Sequence, residues 1–196
     1  MDTGASAEAR VKDYGFTQDG DSVVYGVVIE NPSSDSEALD ISVSTNALDR
    51  KGDVIGTDDA TVSVVPPGEA FNIGGDISVG RAKVSDLEIS VQTDDSGPPE
   101  HPLPKVTNVR VEKDSTFGLT IRAQVENTLD QPLSSLTDVF VVVRDSGGDV
   151  IGGTYTFPTN DIPPGGRRAV ELSFWGVNGL RGADSADVSV DNEIAP

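Results

Sequence analysis

Five residues of this 196-residue chain have the side chains and the surroundings that chemistry would need: one histidine and four turn aspartates. His101, the only histidine, lies between Glu100 and Pro102. A serine or threonine nucleophile usually needs a histidine base, but a lone histidine in a Pro-rich segment is expected to be a solvated linker residue. The chain has no Cys, which excludes a cysteine nucleophile, a zinc–thiolate site and a disulfide. We therefore predict no catalytic residues and a protein that is not an enzyme.

The aspartates that could hold a metal are Asp19, Asp21, Asp145 and Asp149, which stand beside glycines on two predicted turns. Ca²⁺ prefers the carboxylate and carbonyl oxygens that such turns offer. Neither turn has the EF-hand loop pattern, and Asp and Gly are ordinary turn residues. We expect no cofactor, with Ca²⁺ at these four aspartates as the alternative.

The charge of the chain limits its partners. Its 33 acidic and 14 basic residues give a net charge of −19, so nucleic acid and anionic membranes are not expected to bind. The 23 Asp and 5 Lys are spread over the whole chain. A metal-binding surface would concentrate its acids, whereas concentrated salt screens such repulsion everywhere. The composition therefore favours adaptation to high salt. No apolar run is long enough to span a bilayer, so this segment is not expected to insert into a membrane.

The elements that carry these residues come from a duplication. The sequence GDVIG at 52–56 recurs at 148–152, and Glu30-Asn31 recurs as Glu126-Asn127 at the same offset of 96 residues. The Pro-Pro-Gly sequence at 66–68 recurs at 163–165, one residue further on. Self-similarity at a near-constant offset indicates a repeated structural unit.

Each unit has the hydrophobic period of strands. Period two with β-branched residues over 23–30 places Val23, Tyr25, Val27 and Ile29 on one face of a strand. In the second copy, Leu119, Ile121, Ala123 and Val125 alternate with polar residues. About seven short strands per unit are expected, including separate ones at 53–57 and 60–65. The stretch 139–143 is apolar on both faces. Either it is buried on both sides or its outer face meets another surface, for which the first unit is the nearest candidate.

We predict an all-β protein with two tandem immunoglobulin-like β-sandwich domains joined by a Pro-rich linker. The boundaries are a flexible N-terminal segment at 1–10, a first sandwich at 11–93, a linker at 94–104 and a second sandwich at 105–193. Four prolines close together in the linker favour a stiff, extended segment.

Three stretches, at 25–33, 48–56 and 66–71, carry a resemblance to the FxLYD family of small immunoglobulin-like domains. They are similar to that family's V-x-G-x-V-x-N strand, D-x-x-G-x-V-x-G hairpin and L-x-P-G-E-x-x-x-F close, and the second unit retains most of the same letters. The late-embryogenesis-abundant type 2 domain is a close second. The resemblance implies an exported or lipid-anchored surface protein and carries no catalytic set, and the acid-rich, Lys-poor composition resembles that of haloarchaeal proteins.

These observations together predict a non-enzymatic structural or protein-interaction module, on the cell surface or outside the cell, adapted to high salt. The anchor that the resemblance implies would be a lipid-attachment segment upstream of this sequence. The alternative is a ligand-binding module for Ca²⁺ or for a polysaccharide, in which Trp175 and Tyr155 would form a stacking patch. A third alternative, an acid–base hydrolase, would need two carboxylates facing each other across a cleft.

Overall fold

The computed structural model describes residues 7–114, 118–174 and 177–192, and it shows an all-β protein. Six strands form the first unit: β1 (Arg10–Asp19), β2 (Ser22–Glu30), β3 (Glu37–Leu48), β4 (Val54–Val65), β5 (Ala70–Ser78) and β6 (Asp86–Gly97). Six more form the second unit: β7 (Lys105–Asp114), β8 (Gly118–Glu126), β9 (Val139–Asp145), β10 (Val150–Thr156), β11 (Arg167–Phe174) and β12 (Ala183–Val190). A short 3₁₀ turn, Asn178–Gly182, precedes β12.

The strands form four antiparallel sheets of three, two in each unit. The first unit has the strand orders β1-β2-β5 and β4-β3-β6, and the second has β7-β8-β11 and β10-β9-β12. Adding six to each strand number of the first unit gives the second unit, so the duplicated letters correspond to a duplicated topology. Every strand ladder within the described ranges joins strands of the same unit.

The alternation in the sequence places one face of each sheet in a core. In β2, the side chains of Val23, Tyr25, Val27 and Ile29 are at most 1% exposed and pack against β3 and β4. In β8, Leu119, Ile121, Ala123 and Val125 occupy the corresponding positions of a second core. Apolar burial of this kind is the main stabilising force of a sandwich.

Several details differ from the sequence-based expectation. Each unit has six described strands instead of about seven, and β4 is one continuous strand where two were expected. The second difference has a physical cause, because the carboxylate of Asp58 accepts a hydrogen bond of 2.9 Å from the buried Tyr25 hydroxyl. That partner lets an acidic residue point inward without ending the strand. β6 extends to Gly97, four residues into the predicted linker. The division into two domains with the boundaries given above stays a prediction.

The four sheets stack as layers, in the order β4-β3-β6, β1-β2-β5, β10-β9-β12 and β11-β8-β7. The two middle sheets contact each other across the unit boundary, where Val28, Val142 and Val150 form a buried cluster. Phe140 also faces the first unit, and its ring centroid lies 6.1 Å from that of Phe71. The contact predicted for the outer face of 139–143 is therefore confirmed.

A row of three glycines permits this contact. Strand pairing places Gly15, Gly26 and Gly74 side by side across β1, β2 and β5. The backbone of β10 crosses that row, with Val150 over Gly15, Gly152 over Gly26 and Thr154 over Gly74. A methyl group on Gly26 would lie 2.7 Å from the Gly152 carbonyl oxygen, and one on Gly74 would lie 2.5 Å from the Val141 carbonyl oxygen. The two backbones can approach this closely only because the row has no side chains.

Substitution of Gly74 by alanine should therefore disrupt the contact between the units. The added methyl group meets backbone atoms, which no rotamer change can move away. We expect a loss of about 1–3 kcal/mol in the free energy of unfolding, with faster amide exchange in β10, measured by urea denaturation and hydrogen exchange.

Gly97→Ala is the matched control, because the nearest atom to its added methyl group is 3.8 Å away. Equal stability of the two variants would contradict the role assigned to the glycine row.

Candidate functional site

The duplicated Glu-Asn and Pro-Pro-Gly sequences meet in one buried corner of each unit. The side-chain amide of Asn31 donates to the carbonyl oxygens of Ser36 and Val65, both at 2.9 Å, and its oxygen accepts from the amide of Ser33. Asn127 makes the same bonds, to the carbonyl oxygens of Gln131 and Ile162 at 2.7 Å and from the amide of Leu129. Both asparagines are at most 1% exposed. These residues hold the chain at a corner, because buried backbone groups need such partners.

Two of the four candidate metal ligands, Asp145 and Asp149, belong to the duplicated hairpin turn and have a structural role there. Asp145 accepts hydrogen bonds from the backbone amides of Gly147 and Asp149, at 2.8 and 3.1 Å. Asp49 does the same in the first unit, and these amide bonds hold the pKa of its carboxyl below the ordinary value. The glycines that follow, Gly52 and Gly148, have φ angles of 84° and 90°. Asp145 thus closes a turn, and Asp149 stands at the exposed end of the same turn.

The other two candidates, Asp19 and Asp21, flank Gly20 in the turn between β1 and β2. The backbone carbonyl of Asp21 accepts from the amide of Val79 at 2.8 Å. Across the described ranges of the chain, no group of three or more acidic or histidine side chains is placed to share one metal ion. Ca²⁺ binding at Asp19, Asp21, Asp145 or Asp149 stays a prediction.

The linker histidine is not the solvated residue that the sequence suggested. The Nδ1 atom of His101 contacts the Oε1 atom of Glu37, a carboxylate that is only 1% exposed. The other oxygen of Glu37 accepts from the backbone amides of Glu100 and His101, both at 3.1 Å. A buried carboxylate requires such partners, so Glu37 ties the backbone at 100–101 to the start of β3. In the sequence, Glu37 follows a polar loop and carries no signal of burial.

A polar groove runs beside this contact. It has a volume of about 810 Å³ and lies between the linker, the start of β5 and the end of β12. Its ionisable lining residues are Glu37, Glu69, Glu100, His101 and Lys105. The excess of carboxylates suits the groove to a polar or cationic group.

No helix in the described part of the chain is long and apolar enough to cross a bilayer.

Hydrogen bonds across the junction fix how the two units sit. The carboxylate of Asp191, which is 6% exposed, accepts from the amide and the hydroxyl of Ser63, at 3.0 and 2.8 Å. The Ser189 hydroxyl accepts from the backbone amide of Asn72 at 3.0 Å. Arg144 donates to Asp13 of the first unit at 2.7 Å and to Asp187 of its own unit at 2.9 Å. These directional bonds lie at the edges of the buried apolar contact and set its register.

Part of the predicted stacking patch can be located. Tyr155 is 46% exposed and Phe157 is 45% exposed, and their rings meet edge to face with centroids 5.7 Å apart. Phe140 lies behind Tyr155, with centroids 6.0 Å apart, so the exposed pair continues the aromatic contact at the junction. Trp175, the other member of the predicted patch, lies outside the described residues.

Comparisons with known proteins identify no family for this chain. No family model matches it, and no curated protein matches it. Similar solved structures include red sea bream transglutaminase, with 16% identity and a TM-score of 0.31 over 95% of this chain and 32% of that one. Procruciferin, the 11S globulin of Brassica napus, has 6% identity and a TM-score of 0.14 over 94% of this chain and 87% of that one. The chain thus spans about a third of the transglutaminase. Neither likeness, at such TM-scores, bears on fold or function, and the FxLYD resemblance stays a prediction.

The buried Asp191 should make stability depend on pH. Burial raises the pKa of its carboxyl above the ordinary value of 3.8, although the Ser63 hydrogen bonds act in the opposite direction. The unfolded chain therefore ionises first as the pH rises. The contribution of this carboxyl to stability is therefore fully present below pH 3.8 and is lost as the pH rises through its pKa in the folded protein. Asp191→Asn should flatten this loss and raise the free energy of unfolding at neutral pH, because it removes the cost of ionising a buried carboxyl; thermal unfolding against pH measures both effects.

Asp184→Asn, which removes an exposed charge from β12, the strand that precedes Asp191, is the control for net charge. If Asp191→Asn were less stable than this control at neutral pH, the carboxylate would be favourable and the explanation wrong.

Proposed function

We propose that this chain is a non-enzymatic structural or protein-interaction module of the cell surface or extracellular space, adapted to high salt. The observation that carries the proposal is the docking of the two units, face to face, through a buried apolar cluster and a glycine row. Such a contact fixes the relative position of the sandwiches and makes a stiff unit suited to a spacer or a scaffold. The duplicated residues support the same function, because they hold corners and turns.

The distribution of charge supports the salt adaptation. The outermost sheet of the first unit, β4-β3-β6, contains no Lys or Arg. It presents several exposed acidic residues to solvent, namely Asp40, Asp59, Glu88 and Asp94. In dilute buffer these charges repel one another and disfavour the compact state, whereas concentrated salt screens them.

The location outside the cell rests on the resemblance to exported FxLYD domains, together with a lipid anchor encoded upstream. In this proposal the anchor holds the protein at the membrane while the acidic module extends into a saline exterior. The open reading frame that precedes this sequence would test this part: a signal sequence with a lipid-attachment Cys supports it.

A ligand-binding module is the second candidate, and the exposed Tyr155–Phe157 pair favours it. Two aromatic rings at a surface can stack on sugar rings, and the acidic turns offer oxygens to Ca²⁺.

Calorimetric titration with Ca²⁺ and with polysaccharides, in concentrated KCl, separates the two candidates. We expect no heat of binding from either ligand. Heat at micromolar Ca²⁺ that disappears in Asp145→Asn, or polysaccharide binding that disappears in Tyr155→Ala, would replace the first proposal with the second.

Unfolding measured against KCl concentration tests the proposed salt adaptation. The Debye length falls from about 10 Å at 0.1 M to about 3 Å at 1 M salt, so the free energy of unfolding should rise over this range. A variant with Asp59→Asn, Glu88→Gln and Asp94→Asn should be more stable than the wild type at 0.1 M KCl and should depend less on salt.

Thr61→Ser, a neutral change on the same sheet, should leave the salt dependence unchanged. Wild-type stability that is flat or falls with KCl contradicts the proposal, as does an equal slope in the neutralised variant.

A further inference from the structure

The two faces that dock inside the chain are different from each other. The first unit uses its β1-β2-β5 sheet and the second unit uses its β10-β9-β12 sheet. Because the topology is duplicated, each unit also has the counterpart of the other's docking face, on the outside of the stack. These counterparts are β4-β3-β6 at one end and β7-β8-β11 at the other. When two unlike faces bind each other, each molecule that joins a stack presents a free face to the next one. Such a stack grows without limit unless its end faces cannot bind.

The outer face of the second unit differs from its counterpart at the glycine row. In the place of Gly15, Gly26 and Gly74, strand pairing aligns Arg110, Arg122 and Glu171 across β7, β8 and β11. Arg122 bonds Glu171 at 3.0 Å and Glu112 at 3.2 Å, so ion-paired side chains occupy this row. A crossing backbone like that of β10 has no room there.

The outer face of the first unit, β4-β3-β6, differs from its counterpart, the β10-β9-β12 docking face, at the residues that make the contact between the units. The duplication matches Phe140, Val142 and Gly153 of the docking face with Ser44, Asn46 and Thr57. The Thr57 hydroxyl donates to the Asn46 side-chain oxygen at 2.8 Å. Apolar contact and close backbone approach are therefore both lost, and hydrogen-bonded polar side chains replace them.

We propose that the two outer sheets are end caps, and that the docking surface of this protein recognises only the unlike sheet of a neighbouring unit. These differences lie on the two faces that would meet a further copy. Repeat arrays require such polar end faces for solubility. The partner that fits each docking face is thus the other unit of the same chain, and the stack ends at two units.

Two one-ended variants test this proposal in the full-length chain. The first opens the cap of the second unit with Arg110→Gly, Arg122→Gly and Glu171→Gly. The second opens the cap of the first unit with Ser44→Phe, Asn46→Val and Thr57→Gly. Each retains one intact cap, so each alone should remain monomeric. An equimolar mixture should form a dimer of twice the 20.5 kDa chain mass and nothing larger.

Molar mass should be measured by light scattering after size exclusion, over a range of concentrations, at the KCl concentration that stabilises the wild type most. The wild type should be monomeric throughout. Concentration-dependent association of the wild type, assembly of either variant alone, or a mixture that stays monomeric would each overturn the proposal.

Circular dichroism reports whether each variant keeps its strands. Should a triple variant fail to fold, Arg122→Gly/Glu171→Gly and Asn46→Val/Thr57→Gly form the pair to be mixed, with the same expected doubling of mass. A mixture of these double variants that stays monomeric would overturn the proposal equally.

Discussion

The architecture depends on one steric condition, the absence of side chains along Gly15, Gly26 and Gly74. This row lets the backbone of β10 lie against the β1-β2-β5 sheet, at a distance that a single methyl group would prevent. The contact covers the second face of both middle sheets, which explains why β9 is apolar on both sides. The apolar cluster of Val28, Val142 and Val150 then supplies burial energy, and the hydrogen bonds at its edges fix the register.

The duplicated residues have structural explanations in terms of hydrogen bonding. Asn31 and Asn127 join the end of one strand to the Pro-Pro-Gly turn, and Asp49 and Asp145 close equivalent hairpins. These positions keep their residue types in both units because each unit needs its own corners. The outer faces are free of that requirement, and polar side chains there replace the glycine row and the apolar residues of the docking faces. Retention at corners and divergence on faces together give a molecule with one internal contact and two polar ends.

Much of this fold could be predicted from the sequence, and the reason is that its signals are local or repeated. Alternation identified β2 and β8, and the two-sided apolar stretch predicted a contact between the units. The glycine row could not be predicted, because its members lie in β1, β2 and β5 and become neighbours only when the strand register is known. The same limit hid the pairing of Glu37 with His101, whose partners are far apart in the chain. A glutamate that follows a polar stretch of sequence gives no sign that it will be buried.

The most direct test of the central claim is a distance measured between the two outermost sheets. The chain has no Cys, so spin labels can be placed at Thr61→Cys on β4 and Ala169→Cys on β11 without competing sites. Docking through the glycine row predicts one narrow distribution of distances in concentrated KCl, and a broad distribution in the same pair when Gly74→Ala is added. A broad distribution in the chain without that substitution would show that the units move independently and would contradict this account.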